Sequence, residues 1–118
     1  MRYSEQICIR FQQAIEILGK RWTGLILQAL MGGSLRFSEI SERLEVVSDR
    51  TLAERLRELE RTGLVAREVF AEVPVRVVYS LTEKGHALGP VIESIEHWSE
   101  QWIEPVAADT APDGVTRG

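Results

Sequence analysis

The hydrophobic period of this chain changes at Thr62-Gly63, from about 3.6 residues to about 2, and no other feature limits the fold as much. Before the change, Ser48 stands as a good N-cap ahead of Asp49-Arg50-Thr51-Leu52-Ala53-Glu54-Arg55-Leu56-Arg57-Glu58-Leu59-Glu60-Arg61. At about 100° per residue Leu52, Leu56 and Leu59 form one narrow apolar stripe. Arg50, Glu54, Arg57 and Arg61 stand on the opposite side, with Thr51 and Arg55 on the flanks. After the change, Leu64 to Phe70 and Val75 to Leu81 alternate as two strands around Ala71-Glu72-Val73-Pro74. Pro74 has no amide donor, so it belongs in the hairpin connection or at its edge.

Upstream, Phe11, Ala14, Ile15 and Leu18 recur at three and four, which predicts a short amphipathic helix ending at Gly19. Trp22, Leu25, Ile26, Ala29 and Leu30 repeat the spacing until Gly32-Gly33 stops it. A third helix places Phe37, Ile40 and Leu44 on one face. Downstream, Thr82 caps a long final helix, weakened near its start by Gly85 and Gly89-Pro90. Along it Leu88, Val91, Ile95, Trp98 and Trp102 keep a heptad seam that Ile92 widens. The expected class is mainly α with a small β-hairpin, in the order α-α-α-α-β-β-α. That is a winged helix-turn-helix, with a DNA-binding and dimerisation domain over residues 1–104. Residues 105–118 lack periodicity and are rich in Ala, Asp, Pro, Gly and Thr, so they read as a disordered tail.

Length and charge narrow the function classes. A chain of 118 residues, 44% hydrophobic, supports one core but not two, and at that size a partner subunit is a natural source of further burial. No run approaches the roughly 18 apolar residues that cross a bilayer, and Met1 to Gln6 lack the apolar region of a signal peptide, so no membrane role and a cytoplasmic location are expected. A single cysteine, Cys8, forms no internal disulfide and no cysteine-based zinc cluster. His86 and His97, 11 residues apart on one helix and hence about 16 Å apart in rise, cannot share an ion. No nucleophile with a nearby base, phosphate loop or catalytic carboxylate pair stands out, so neither an enzyme nor a cofactor or metal is expected. The net charge of −4 hides an uneven distribution: residues 82–118 hold two basic and seven acidic side chains, and residues 34–81 hold eight and nine. All eight of those middle cations are arginines, the side chain suited to phosphate and guanine.

The element order makes Asp49 to Arg61 the recognition helix, with Ser48, Arg50, Thr51, Glu54, Arg55 and Arg57 as candidate DNA contacts. Arg36 and Ser38 stand at the start of the preceding helix, and Arg67 and Arg76 on the wing, towards phosphates or the adjacent minor groove. Taken alone, the mixed-charge run also fits a solvated helix face with i,i+4 pairs, and the alternative function is a winged-helix module that binds protein. Phe11, Leu88, Val91, Ile92, Ile95, Trp98 and Trp102 form the candidate dimer interface, which would set two recognition helices on an inverted repeat of double-stranded DNA.

Several separated blocks carry a family resemblance: Leu18-Gly19-Lys20-Arg21-Trp22-Thr23-Gly24-Leu25-Ile26-Leu27, Leu35-Arg36-Phe37-Ser38-Glu39-Ile40, Ser48 to Leu59, and Val73 to Gly85. Together they resemble the HxlR-type family of bacterial winged-helix transcription regulators, related to the MarR class. The chain departs from that pattern in having Gly19-Lys20-Arg21-Trp22 for Gly-Gly-Lys-Trp, Pro74-Val75-Arg76 for Pro-Pro-Arg, and Cys8-Ile9 for Cys-Pro. The resemblance implies a homodimer that represses or activates promoters. It also implies redox sensing at Cys8 or response to a small effector. Arg10 nearby would favour the reactive thiolate, whereas Ile7, Ile9 and Phe11 suit a cysteine packed as a small hydrophobe.

Overall fold

The computed structural model describes the backbone of residues 5–106 and the side chains of residues 9–106. Its elements run α1 (Glu5–Leu18), α2 (Thr23–Leu30), β1 (Leu35–Arg36), α3 (Phe37–Arg43), α4 (Asp49–Arg61), β2 (Val65–Phe70), β3 (Arg76–Leu81), α5 (Glu83–His86) and α6 (Gly89–Trp102). The order differs from the expected one in two places. Leu35 and Arg36 form a short strand that pairs with Tyr79 and Val78, so the wing is a three-stranded antiparallel sheet of order β1-β3-β2 instead of a bare hairpin. The long final helix is two helices, which puts His86 and His97 on separate elements. Thr82 caps the first, accepting from Gly85 N at 3.1 Å. Pro90 lies in the first turn of the second and has no amide hydrogen for the carbonyl of His86, so the ladder cannot run through.

The leucine stripe of α4 accounts for how that helix is held. Leu52, Leu56 and Leu59 are buried in one cluster with Ile26, Leu27 and Leu30 of α2, Ile40 of α3, and Tyr79 and Leu81 of β3. Each such side chain contributes about 1.5 to 3 kcal/mol over leaving it in water. Both ends of α4 are tied off locally. Ser48 Oγ accepts from Thr51 N at 3.1 Å at the start. At the end Gly63, with φ 81°, donates to Glu60 O, and Leu64 N donates to Leu59 O at 2.9 Å. That pair is a Schellman motif, whose left-handed residue favours glycine, and it turns the chain straight into β2. The wing register then follows from Val65 opposite Leu81 to Phe70 opposite Arg76.

Two expectations fall elsewhere. Residues 107–118, most of the expected tail, lie outside the described residues, as does the side chain of Cys8. The backbone at position 8 is inside α1, not ahead of it, because the helix begins at Glu5.

Candidate nucleic-acid interface

Burial of the leucine stripe leaves the opposite side of α4 in solvent. Arg50 has 90% of its side chain exposed and stands 3.8 Å from Glu54, an i,i+4 pair. Arg57 is exposed with no ion pair among the described residues, whereas Thr51 and Glu54 are half-buried. A helix start that carries Arg50 beside free backbone N–H groups attracts phosphate, and arginine reads guanine edges. Arg36 and Ser38 are exposed at the start of α3, where the Glu39 carboxylate accepts from Arg36 N at 2.8 Å. Arg67 is exposed on β2, opposite Tyr79. Since α4 packs directly against β2, the root of the wing is fixed beside the recognition helix.

Four of the expected contacts are engaged in other ways. Arg55 turns inward: its Nε donates to the carbonyl of Arg21 at 3.0 Å and its Nη1 lies 3.6 Å from Glu58. With 20% of its side chain exposed, it fastens α4 to the turn between α1 and α2. Arg76 folds back on the wing tip, 3.1 Å from Glu72 and with its guanidinium 4.1 Å above the Phe70 ring. The Arg76 guanidinium holds the Glu72 carboxyl below its usual pKa, and Glu72 raises that of Arg76 in return. Its charge is thus largely matched inside the wing. Ile92, assigned to the dimer seam, is buried in the protomer's own core, and Leu88 is half-buried against that core. Both lie on the face of α6 that turns towards the core cluster, where Gln28 of α2 also bonds to Glu96 of α6.

The rest of the seam is open. Val91, Ile95, Trp98 and Trp102 of α6 are exposed, the two tryptophans by 57% and 68%, and so are Phe11 and Ile15 of α1. A run of this kind, carrying two large aromatic rings, is an unusual surface for an isolated small protein.

A further group of contacts was not legible in the sequence. Lys20 Nζ lies 3.0 Å from Glu58, so the turn at 19–22 is tied to α4 twice, once through Glu58 and once through Arg55. The hydrogen bond from Lys20 lowers the Glu58 pKa, with Arg55 and Arg61 adding to it, against a smaller desolvation in the other direction. Trp22, at the N-cap of α2, adopts φ 77°, a left-handed conformation that a bulky residue takes only when its surroundings hold it there. The Arg21 guanidinium stands 4.5 Å from its ring. Among the described residues no group of three metal-ligating side chains converges, and no helix is long and apolar enough to cross a membrane.

Comparison with known proteins agrees with this arrangement. The family model for the HxlR-like helix-turn-helix matches residues 17–107. Over 104 residues the chain is 50% identical to the uncharacterized HTH-type transcriptional regulator YvaP of Bacillus subtilis (strain 168), covering 88% of this chain and 96% of that one. It is 48% identical over 99 residues to the HTH-type transcriptional regulator YodB of the same organism, covering 84% and 88%. The structure of reduced YodB superposes with a TM-score of 0.74 at 47% identity, over 82% of this chain and 95% of that chain. Reduced HypR, a redox regulator, also reaches a TM-score of 0.74, at 35% identity over 78% and 91%. With its winged-helix fold and these relatives, the chain belongs to the HxlR-like helix-turn-helix family and is a DNA-binding transcriptional regulator.

Proposed function

We propose that this regulator works in the cytoplasm as a homodimer on an inverted-repeat operator, with residues 1–104 serving both DNA binding and dimerisation. The observation that carries the reading is α4: its leucine stripe is buried, its ends are capped, and Arg50 and Arg57 project from the free face. Arg50 and Arg57, with Thr51 and Glu54 beside them, read base edges. Arg36, Ser38, Ser48 and Arg67 position the phosphate backbone. Arg76 lends shape to the wing tip more than charge, since Glu72 already balances it. The exposed residues of α6, together with Phe11 and Ile15, meet their copies across a two-fold axis, which spaces the two recognition helices about one DNA turn apart.

The test is to select duplexes from a random pool with the full chain and follow binding by fluorescence anisotropy between about 50 and 200 mM salt. Selected sequences should bind tightly with a steep salt slope, and Arg50→Ala should weaken them by about 1 to 3 kcal/mol while relaxing preference at one base step. Equal, salt-insensitive binding of selected and random duplexes would overturn the assignment and favour a protein-binding module.

A redox response at Cys8 has separate support. Crystal structures of YodB include a diamide-treated and a quinone-bound form, and this chain shares 48% identity with YodB and carries one cysteine. Cys8 lies on α1, the helix whose Phe11 and Ile15 join the proposed dimer face, so a modified thiol would act on the spacing of the recognition helices. Diamide should lower the operator affinity of the wild type and spare Cys8→Ser. An equal effect on both proteins, or on neither, removes Cys8 from the mechanism.

A further inference from the structure

Two adjoining cavities open along α1, the larger on the side away from Phe11 and Ile15. The larger, of about 600 Å3, lies between α1, the turn at 19–22, the C-terminal end of α4 and α5. Lys20, Arg61 and Lys84 bring three cations to its walls, Glu16 and Glu58 bring two carboxylates, and Ile17 and Leu59 supply carbon. The smaller, of about 190 Å3, shares Ile17 and Lys84 with the first and is otherwise lined by apolar side chains, Leu64 and Leu88 among them.

The charges in the larger cavity do not cancel. Lys20 is taken by Glu58 at 3.0 Å, and Glu16 accepts from Gln12 at 3.4 Å. Arg61 and Lys84 make no ion pair among the described residues; Lys84 Nζ has only the neutral carbonyl of Thr62, at 2.6 Å. Thr23, 2% exposed, also lines this cavity, and its hydroxyl makes no hydrogen bond among the described residues. A buried hydroxyl without a partner is destabilising, and a bound acceptor would satisfy it. Two uncommitted cations against one carboxylate favour an anion, and the carboxylates already on the walls disfavour a second charge on it. The smaller cavity exceeds the volume of about 150 Å3 in which an apolar site takes up benzene, so it has room for one ring or a short alkyl chain.

We propose that the joined cavities bind a small amphipathic monocarboxylate, its apolar body against Ile17, Leu64 and Leu88 and its carboxylate at Lys84 and Arg61, within reach of the Thr23 hydroxyl. At 100° per residue Gln13 and Ile17 lie on the far side of α1 from Phe11 and Ile15. A second subunit docked on Phe11 and Ile15 therefore leaves the larger cavity open, while Ala14 and Leu18 bring the smaller one to the edge of that face. The proposal goes beyond the DNA-binding reading and does not depend on it.

The experiment titrates the full chain, without DNA, with benzoate and hexanoate, and with benzyl alcohol and hexanol as neutral counterparts, followed by 1H–15N correlation spectra. The carboxylates should give saturable shifts at the amides of Lys20, Thr23, Thr62 and Lys84, and the alcohols should bind about tenfold or more weakly, the loss expected for one charge-assisted contact. Lys84→Met should weaken the carboxylates by a similar factor. Because Lys84 also braces Thr62, the exposed Arg61→Gln is the second variant, with the same expected loss. Equal binding of acids and alcohols, carboxylate binding untouched in Arg61→Gln, or shifts that fail to saturate would each overturn the proposal. None of these outcomes bears on whether α4 reads DNA.

Discussion

Arg55 and Arg57 are two positions apart on α4, yet one donates to the Arg21 carbonyl and the other ends in solvent. Replacing each by alanine should therefore produce opposite phenotypes. Arg55→Ala should lower unfolding stability by about 1 to 3 kcal/mol in urea and leave the salt slope of DNA binding unchanged. Arg57→Ala should leave the urea midpoint in place and weaken operator binding, by about 1 to 3 kcal/mol if it touches a base edge. Glu58 adds a pH dependence. Its pKa is held down in the folded protein by Lys20, so its contribution is complete above the unfolded carboxylate value of about 4.3 and disappears as pH falls through the lower folded value. Glu58→Gln should accordingly flatten the acid side of the stability profile, measured by urea midpoints from about pH 5 to pH 3. The sequence placed Arg55 on the flank of the helix, where angle alone does not decide between solvent and core. Its acceptor is a backbone carbonyl 34 residues away, and no side-chain pattern encodes that. The Glu72–Arg76 pair has a local sign, since a spacing of four across a hairpin tip brings opposite charges together.

At the scale of elements, α4 was the most legible part of the chain because everything that defines it is local. A cap, a three-leucine stripe and a glycine stop all lie within sixteen residues, from Ser48 to Gly63, and the structure uses each of them as the pattern suggests. Ser48→Ala should cost about 1 kcal/mol of stability through the lost bond to Thr51 N, seen as a lower urea midpoint with an unchanged slope. The elements that escaped reading are those decided elsewhere. β1 is two residues long and exists because β3 offers an edge to Leu35 and Arg36, which no period-2 run of that length can announce. The break between α5 and α6 has a local sign in Pro90. Its other cause is tertiary: a side chain at Gly85 would overlap the carbonyl of Leu64, so α5 must lie backbone to backbone on the root of β2. That close approach fixes the direction of α5 and leaves α6 to start afresh.

For the whole molecule, the division of α6 into an inward and an outward face decides how the chain behaves in company. Ile92 is 9% exposed and Trp98 57%, so changes at the two should separate folding from assembly. Trp98→Glu should leave the fold intact and halve the mass measured by sedimentation at micromolar concentration, whereas Ile92→Ala should lower stability by about 2 to 5 kcal/mol through a core cavity. A full-length monomer retaining wild-type operator affinity would remove the two-fold arrangement from the account. The wing has a consequence of another kind. Its last paired residues are Phe70 and Arg76; beyond them the backbone makes a bond from Glu72 N to Phe70 O, and side chains close the tip, with Arg76 against Phe70 and Glu72. Tip and root must then keep different clocks. Amide hydrogens at 71, 73 and 75 exchange with water as fast as local fluctuation allows, while those of Val78 and Tyr79 wait for the core itself to open. The part of the wing nearest its free end can thus adjust its path along a groove many times during one lifetime of the fold that carries it.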